Sequence, residues 1–195
     1  MLLLLVFGFG FGNVSNVKAQ ASQFLDGCSS LLGYSVTNGS LCDDTKDAYL
    51  IPAHLTIPSI DVSATIDQVG ITQKGNMATS KNFNNVGWYK YGVMPGEIGS
   101  AVIAGHVNDG FALPGVFVNL KDLKNGDDIY VTTNNNTRLH FVMTSRKIYN
   151  YDAPTEEIFE DNSGKLLKLI TCTGNWLTEL GTHEQRIVVT AVLAS

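Results

Sequence analysis

Three side chains invite chemistry before any fold is assumed: Cys172, alone near the C-terminus; His106, directly after a glycine; and Arg186, at the head of an apolar run. A thiolate is a strong nucleophile, but only when a nearby cation or base stabilises it or takes its proton. In the run Leu166 to Cys172 a period of two places Leu167, Leu169 and Thr171 on one face and Leu166, Lys168, Ile170 and Cys172 on the other. A face that carries a lysine beside the thiol is not a uniform apolar core. Taken alone, Cys172 is still as well explained as a small packing residue.

Arg186 opens the last run, where Ile187, Val189, Ala191 and Leu193 form an apolar face opposite Arg186, Val188 and Thr190. A charge there also reads as an edge-strand guard against pairing. If the two runs are consecutive antiparallel strands joined through Thr173 to Glu184, Arg186 lies beside Cys172. His106 ends the short apolar strand that closes in Ala104-Gly105, and the glycine permits an unusual turn there. Histidines in such loops serve proton transfer more often than core histidines do.

The other candidates carry less. No aspartate is evident as an orienting partner for His106, and the nearness of Asp109 in sequence is no ground for one. Cys172, His106 and His183 match no common structural zinc spacing, and His54 and His140 read as surface or packing residues. Glu156, Glu157, Glu160 and Asp161 read as solvated surface rather than a cation site. No metal or other cofactor is expected.

The elements that must position these residues are strand-like runs separated by turn signals. They are Ala53 to Ile60, Val62 to Val69, Ser100 to Ala104, Asp128 to Thr133, Arg138 to Ile148, Lys165 to Cys172 and Gln185 to Leu193. Such spacing argues for a closed or nearly closed β architecture. Lys124 to Asp127 and Thr133 to Asn136 have turn chemistry, the second predicting a β-hairpin. Val116 to Leu123 and Thr155 to Glu160 are helical candidates too short to define an α/β fold.

The chain has 195 residues, 44% hydrophobic and 16% charged, so one domain of ordinary size can bury a core. A net charge of -5 gives no general attraction for nucleic acid or an anionic surface. Met1 to Gly12 is a charge-free apolar run followed by small residues around Ala19 to Ala21, so residues 1–21 read as a signal peptide or a truncated membrane anchor. A buried N-terminal element is the alternative. Residues 22–50, rich in Ser, Gly, Asp and Asn, read as an extracytoplasmic spacer, and 51–195 as the catalytic domain. Cys28 and Cys42 are a candidate disulfide, closing a loop worth about 3 kcal/mol in the chain-entropy account. Two unpaired thiols are the alternative.

The Ala104-Gly105-His106 strand end, Leu169-Ile170-Thr171-Cys172 and the Arg186 strand resemble the three catalytic signatures of sortases, in that family's order His, Cys, Arg. The resemblance runs from about Ala53 to the end. It includes Val86-Gly87-Trp88-Tyr89 and Pro95-Gly96-Glu97-Ile98-Gly99-Ser100 before the histidine. After it come Gly115-Val116-Phe117 and Leu120-Lys121-Asp122-Leu123-Lys124-Asn125-Gly126-Asp127. The pattern is most similar to the small class E and F sortases, which have no C-terminal membrane helix, as the chain ends at Ser195 just after its last strand; of the two, class F is preferred. Lys168 departs from the first threonine of the family's Thr-Leu-x-Thr-Cys signature, and Asn108 stands where class E and F members often carry aspartate.

The resemblance implies an all-β, sortase-type eight-stranded barrel with one or two short helices. It implies a Leu-Pro-x-Thr-Gly-like sorting motif as substrate, a Cys172 thioacyl intermediate and transfer to a cell-wall or pilin amine. His106 would move the proton; Arg186 and the Thr173 N–H would hold the oxyanion. Ala104 and Ile170 would line the peptide groove, with Thr171 beside the nucleophile. The partners would be secreted proteins with a C-terminal sorting motif, met outside the cytoplasmic membrane, with membrane association through the N-terminal segment. A hydrolytic peptidase of the same fold and a non-catalytic surface binding barrel are the alternatives.

Overall fold

The computed structural model describes residues 30, 31, 34–37, 40–42, 51–109 and 113–194. The chain divides into two units, Met1–Lys46 and Asp47–Ser195. In the first, β1 (Ser30–Leu31), β2 (Tyr34–Thr37) and β3 (Ser40–Cys42) form a small antiparallel sheet. The export segment expected at 1–21 and Cys28 lie outside the described residues, and only the backbone of Cys42 is described, so the Cys28–Cys42 pairing lies outside them too. Among the described residues no helix is long and apolar enough to cross a membrane.

Eight strands of the second unit close on themselves: β4 (Pro52–Ile57), β5 (Val62–Val69), β6 (Val86–Tyr89), β7 (Gly99–Gly105), β8 (Asp128–Thr133), β9 (Arg138–Asn150), β10 (Lys165–Leu177) and β11 (Thr182–Leu193). Around the barrel they run β10-β11-β9-β8-β4-β5-β6-β7 and back to β10. Closure removes every free edge, the standing liability of sheets. Two seams, β5 with β6 and β7 with β10, are parallel, and the rest are antiparallel.

The period of two sorts the side chains as the sequence predicts. Leu167, Leu169, Ile187, Val189, Ala101 and Ile103 point inward and join Leu55, Val86, Phe117 and Phe141 in one buried core. Each such aliphatic side chain contributes about 1.5–3 kcal/mol by leaving water. A second, smaller cluster of Val102, Val188 and Ile158 lies on the opposite, outer face, with Tyr89, Tyr149 and Ile170 packed against it. Ile158 belongs to the single-turn helix α1 (Glu156–Phe159).

The expected hairpin at Thr133 to Asn136 is present, with Asn136 at φ 64° joining β8 to β9. Elsewhere the elements differ from expectation. β6 is a full barrel strand, but four residues are too few to announce a period. The first run stops as strand at Ile57 and turns through a 3-10 segment at Pro58–Ile60, where the proline leaves no N–H for pairing. Of Val116 to Leu123, only Leu120–Asp122 is helical, again 3-10. β10 and β11 run well past Cys172 and Arg186, so their connection shrinks to residues 178–181.

Candidate active site

Cys172 and Arg186 are register partners across the antiparallel β10–β11 seam. Directly opposed residues of a ladder share a face, so thiol and guanidinium stem project to the same side. That side is the outside of the barrel, since their neighbours Leu169, Thr171, Ile187 and Val189 fill the inside. Both residues are half-buried.

His106 reaches the same level along the other edge of β10. In the parallel β7–β10 ladder Ala104 is the register partner of Ile170, and each chain runs two residues further, to His106 and Cys172. Strands so paired lie about 4.8 Å apart. The two half-buried groove candidates, Ala104 and Ile170, therefore sit side by side just upstream of the pair on the outer face.

Thr171 has a different orientation. Its side chain is 3% exposed and points into the barrel, and its hydroxyl donates to the carbonyl of Gly105 at 2.8 Å. What it presents on the thiol face is main chain; its side chain ties the residue before Cys172 to the residue before His106. Thr173 follows Cys172 at the last regular pair, opposite Gln185, before a bulge sets in ahead of Trp176. Gly174 takes φ 77° there, and the Glu184 carboxylate accepts from the Asn175 N–H at 3.0 Å. A bulge of this kind re-aims the strand beside the thiol.

The guanidinium of Arg186 donates to the carbonyls of His183 and Gln185, each at 2.9 Å, and to the Thr182 hydroxyl at 2.7 Å. It is thus a cation held by its own strand end. Burial pushes the Cys172 thiol above its ordinary range, and the charge of Arg186 pulls it partly back. The thiol accordingly rests protonated at neutral pH, and a base must take that proton before it can attack.

Sequence reasoning missed the surroundings of His106. Its Nε2 lies 2.9 Å from the carbonyl oxygen of Ser80, and its ring packs on Phe83 with centroids 4.6 Å apart. A carbonyl only accepts, so Nε2 carries a proton. Ser80 is buried, and its hydroxyl donates to Asp67 at 2.6 Å. On the main-chain side the His106 carbonyl accepts from Phe117 N–H, and a Cβ on Gly115 would come within 2.5 Å of that carbonyl oxygen. Only glycine fits there. The signal available in sequence was the polar run around Ser80 to Asn85, which reads simply as a turn.

Lys168, four residues before Cys172 on the thiol face, is 6% exposed and pairs with Asp161 at 3.1 Å. Glu157 bonds Lys147 and the Tyr149 hydroxyl at 2.5 and 2.8 Å. These two carboxylates, expected as solvated surface, are engaged by lysines. No group of three or more His, Cys, Asp or Glu suited to a metal occurs among the described residues.

A family model described as a sortase domain matches residues 55–194. Similar solved structures include a lid mutant of sortase A from Corynebacterium diphtheriae, 23% identical, covering 74% of this chain and 70% of that one with a TM-score of 0.58. A sortase D5 transpeptidase of Clostridium perfringens is 26% identical, covering 74% and 79%, with a TM-score of 0.56. Sortase C from Clostridium perfringens SM101 is 20% identical, covering 74% and 70%, with a TM-score of 0.55. The likeness to the sortase A and sortase C structures is one of fold. No curated protein gives a significant match.

Proposed function

The chain belongs to the sortase family of cysteine transpeptidases, and on that premise we propose that it cleaves a Leu-Pro-x-Thr-Gly-like sorting motif through a Cys172 thioacyl intermediate and passes the acyl group to a cell-wall or pilin amine. The observation that carries this reading is the double register, which sets Cys172 opposite Arg186 on one seam and level with His106 along the other.

In this scheme His106 takes the thiol proton as Sγ attacks the Thr-Gly carbonyl; the S–C bond forms and the electron pair moves onto oxygen. Arg186 and the Thr173 N–H donate to that oxyanion. When the adduct collapses, the C–N bond breaks and His106 gives its proton to the departing glycine amine. An incoming amine attacks the thioester and yields a proton to His106; the thiolate leaves and takes that proton back. Ala104 and Ile170 floor the groove, Thr171 braces it from beneath, and no cofactor enters the scheme.

Sortases act at the cell surface, which agrees with residues 1–21 as an export signal or anchor, 22–50 as a spacer and a Cys28–Cys42 disulfide in an oxidising compartment. The substrates are then secreted proteins with a C-terminal sorting motif. The motif resemblance favours class F, and a panel of sorting peptides that differ around the Leu-Pro core tests it. The main test is a fluorogenic sorting peptide with and without an added amine: cleavage, a thioacyl adduct on Cys172 by mass spectrometry, and ligated product are expected. Cleavage that survives Cys172→Ala would overturn the reading. The ratio of ligated to hydrolysed product separates a transferase from a peptidase.

A further inference from the structure

His106 is steadied by a turn that has an anchor of its own. Residues 80–85 offer it two supports, the Ser80 carbonyl at Nε2 and the Phe83 ring against its face. The turn closes internally: Asn82 N–H donates to the Ser80 hydroxyl at 3.0 Å, Asn84 N–H to the Asn82 side chain at 3.0 Å, and Asn85 N–H to the Asn82 carbonyl at 3.1 Å. Both ends are then held by one carboxylate. Asp67, on β5 opposite Gly87 of β6, accepts the Ser80 hydroxyl at 2.6 Å and the Asn85 side-chain amide at 3.2 Å. Val116 N–H on the Phe83 carbonyl, 3.0 Å, binds the turn to the segment after His106.

We propose that Asp67 is a positioning residue for His106: by clamping both ends of the 80–85 turn, it fixes the Ser80 carbonyl that holds the Nε2 proton and leaves Nδ1 as the nitrogen that exchanges protons at Cys172. The carbonyl accepts from Nε2–H in both the neutral ring and the imidazolium, so one nitrogen is occupied throughout the cycle. Asp67 itself touches neither the thiol nor the ring; it acts through Ser80. The assignment of Nδ1 as the working nitrogen rests on His106 as the proton-transfer group of the proposed function, whereas the tautomer it predicts exists with or without a substrate.

Long-range proton–nitrogen correlation spectra of the nitrogen-labelled full chain give the test, with four histidine rings to resolve and His106→Gln to assign one. In its neutral form the His106 ring is expected to carry its proton at Nε2 and to be bare at Nδ1. Asp67→Ala is expected to mix the two tautomers and to lower kcat for peptide cleavage about tenfold or more, with KM nearly unchanged. Asp67→Asn keeps an oxygen for the Ser80 hydroxyl and should recover the tautomer and most of the rate. Ser80→Ala removes the link but retains the carbonyl, so it should behave like Asp67→Ala and serves if that variant does not fold. A wild-type ring protonated at Nδ1 overturns the proposal, as does an unmixed tautomer in both Asp67→Ala and Ser80→Ala. If no sorting peptide is cleaved at all, the proposed function fails, while the wild-type spectrum still decides the positioning.

Discussion

Arg186 faces Cys172 across the β10–β11 seam, yet its guanidinium donates back to the carbonyls of His183 and Gln185 and to the Thr182 hydroxyl. The cation is therefore set in place before any substrate arrives, which is what transition-state electrostatics requires. Arg186→Ala should lower kcat by about a hundred- to a thousandfold, as removal of one oxyanion donor does. Arg186→Lys should recover only part, because an ammonium lacks the planar fork that bonds strand end and oxyanion together. Steady-state kinetics on a sorting peptide checks both.

The thiol makes a prediction in pH. Burial raises the Cys172 pKa in the folded chain, and Arg186 opposes that rise. Alkylation of native Cys172 should be slow at neutral pH and accelerate above the range of a free cysteine; Arg186→Ala should move that midpoint further up. Stability has the matching sign. The folded state keeps its proton where the unfolded thiol, near about 8.5, loses it, so this contribution is complete below that pH and lost as pH rises through the folded value. Cys172→Ala should flatten the alkaline fall in unfolding free energy.

Thr171→Val keeps the shape and removes the hydroxyl that bonds Gly105 O. Losing that buried hydrogen bond costs about 0.5–1.5 kcal/mol, read as a lower denaturation midpoint. Because the bond joins β10 to the end of β7 beside Cys172 and His106, kcat should fall as well, more than for a Thr133→Val change at the buried threonine that ends β8.

At acid pH the segment around α1 is the place to look. The Asp161 pKa lies at about 2, held down first by hydrogen bonds from Ser163 and then by Lys168. A lowered carboxylate stabilises the fold above its unfolded value of about 3.9 and ceases to do so as pH falls through the folded one. Between those limits the unfolding free energy should drop, and Asp161→Asn should remove that part of the slope.

The Cys172–Arg186 pairing was legible in the sequence because two consecutive runs of period two in antiparallel contact leave few choices of partner. The eight-stranded barrel came with the sortase resemblance; the runs themselves showed seven strands, β6 being too short to register. The level position of His106 could not be read from pattern, for it depends on the parallel β7–β10 seam, whose partners have no local sign of each other. Lys168 was legible as a departure from a uniform core but not as buried, since Asp161 supplies its counter-charge from a different segment. Asp67 was invisible for a similar reason: an exposed-looking acid on β5 and a polar turn at 80–85 carry no mark that one clamps the other.

The bond between Thr171 and Gly105 spans 66 residues of chain, and the seam it ties is one of the two parallel ones. Such a long-range pairing costs more loop entropy to close than a hairpin does, so we expect this seam to form after the β8–β9 and β10–β11 hairpins. Reactivity is then coupled to completion. On the proposed function, a half-folded chain bears the Cys172 thiol without the histidine meant to take its proton, and it becomes competent only when this parallel seam has shut.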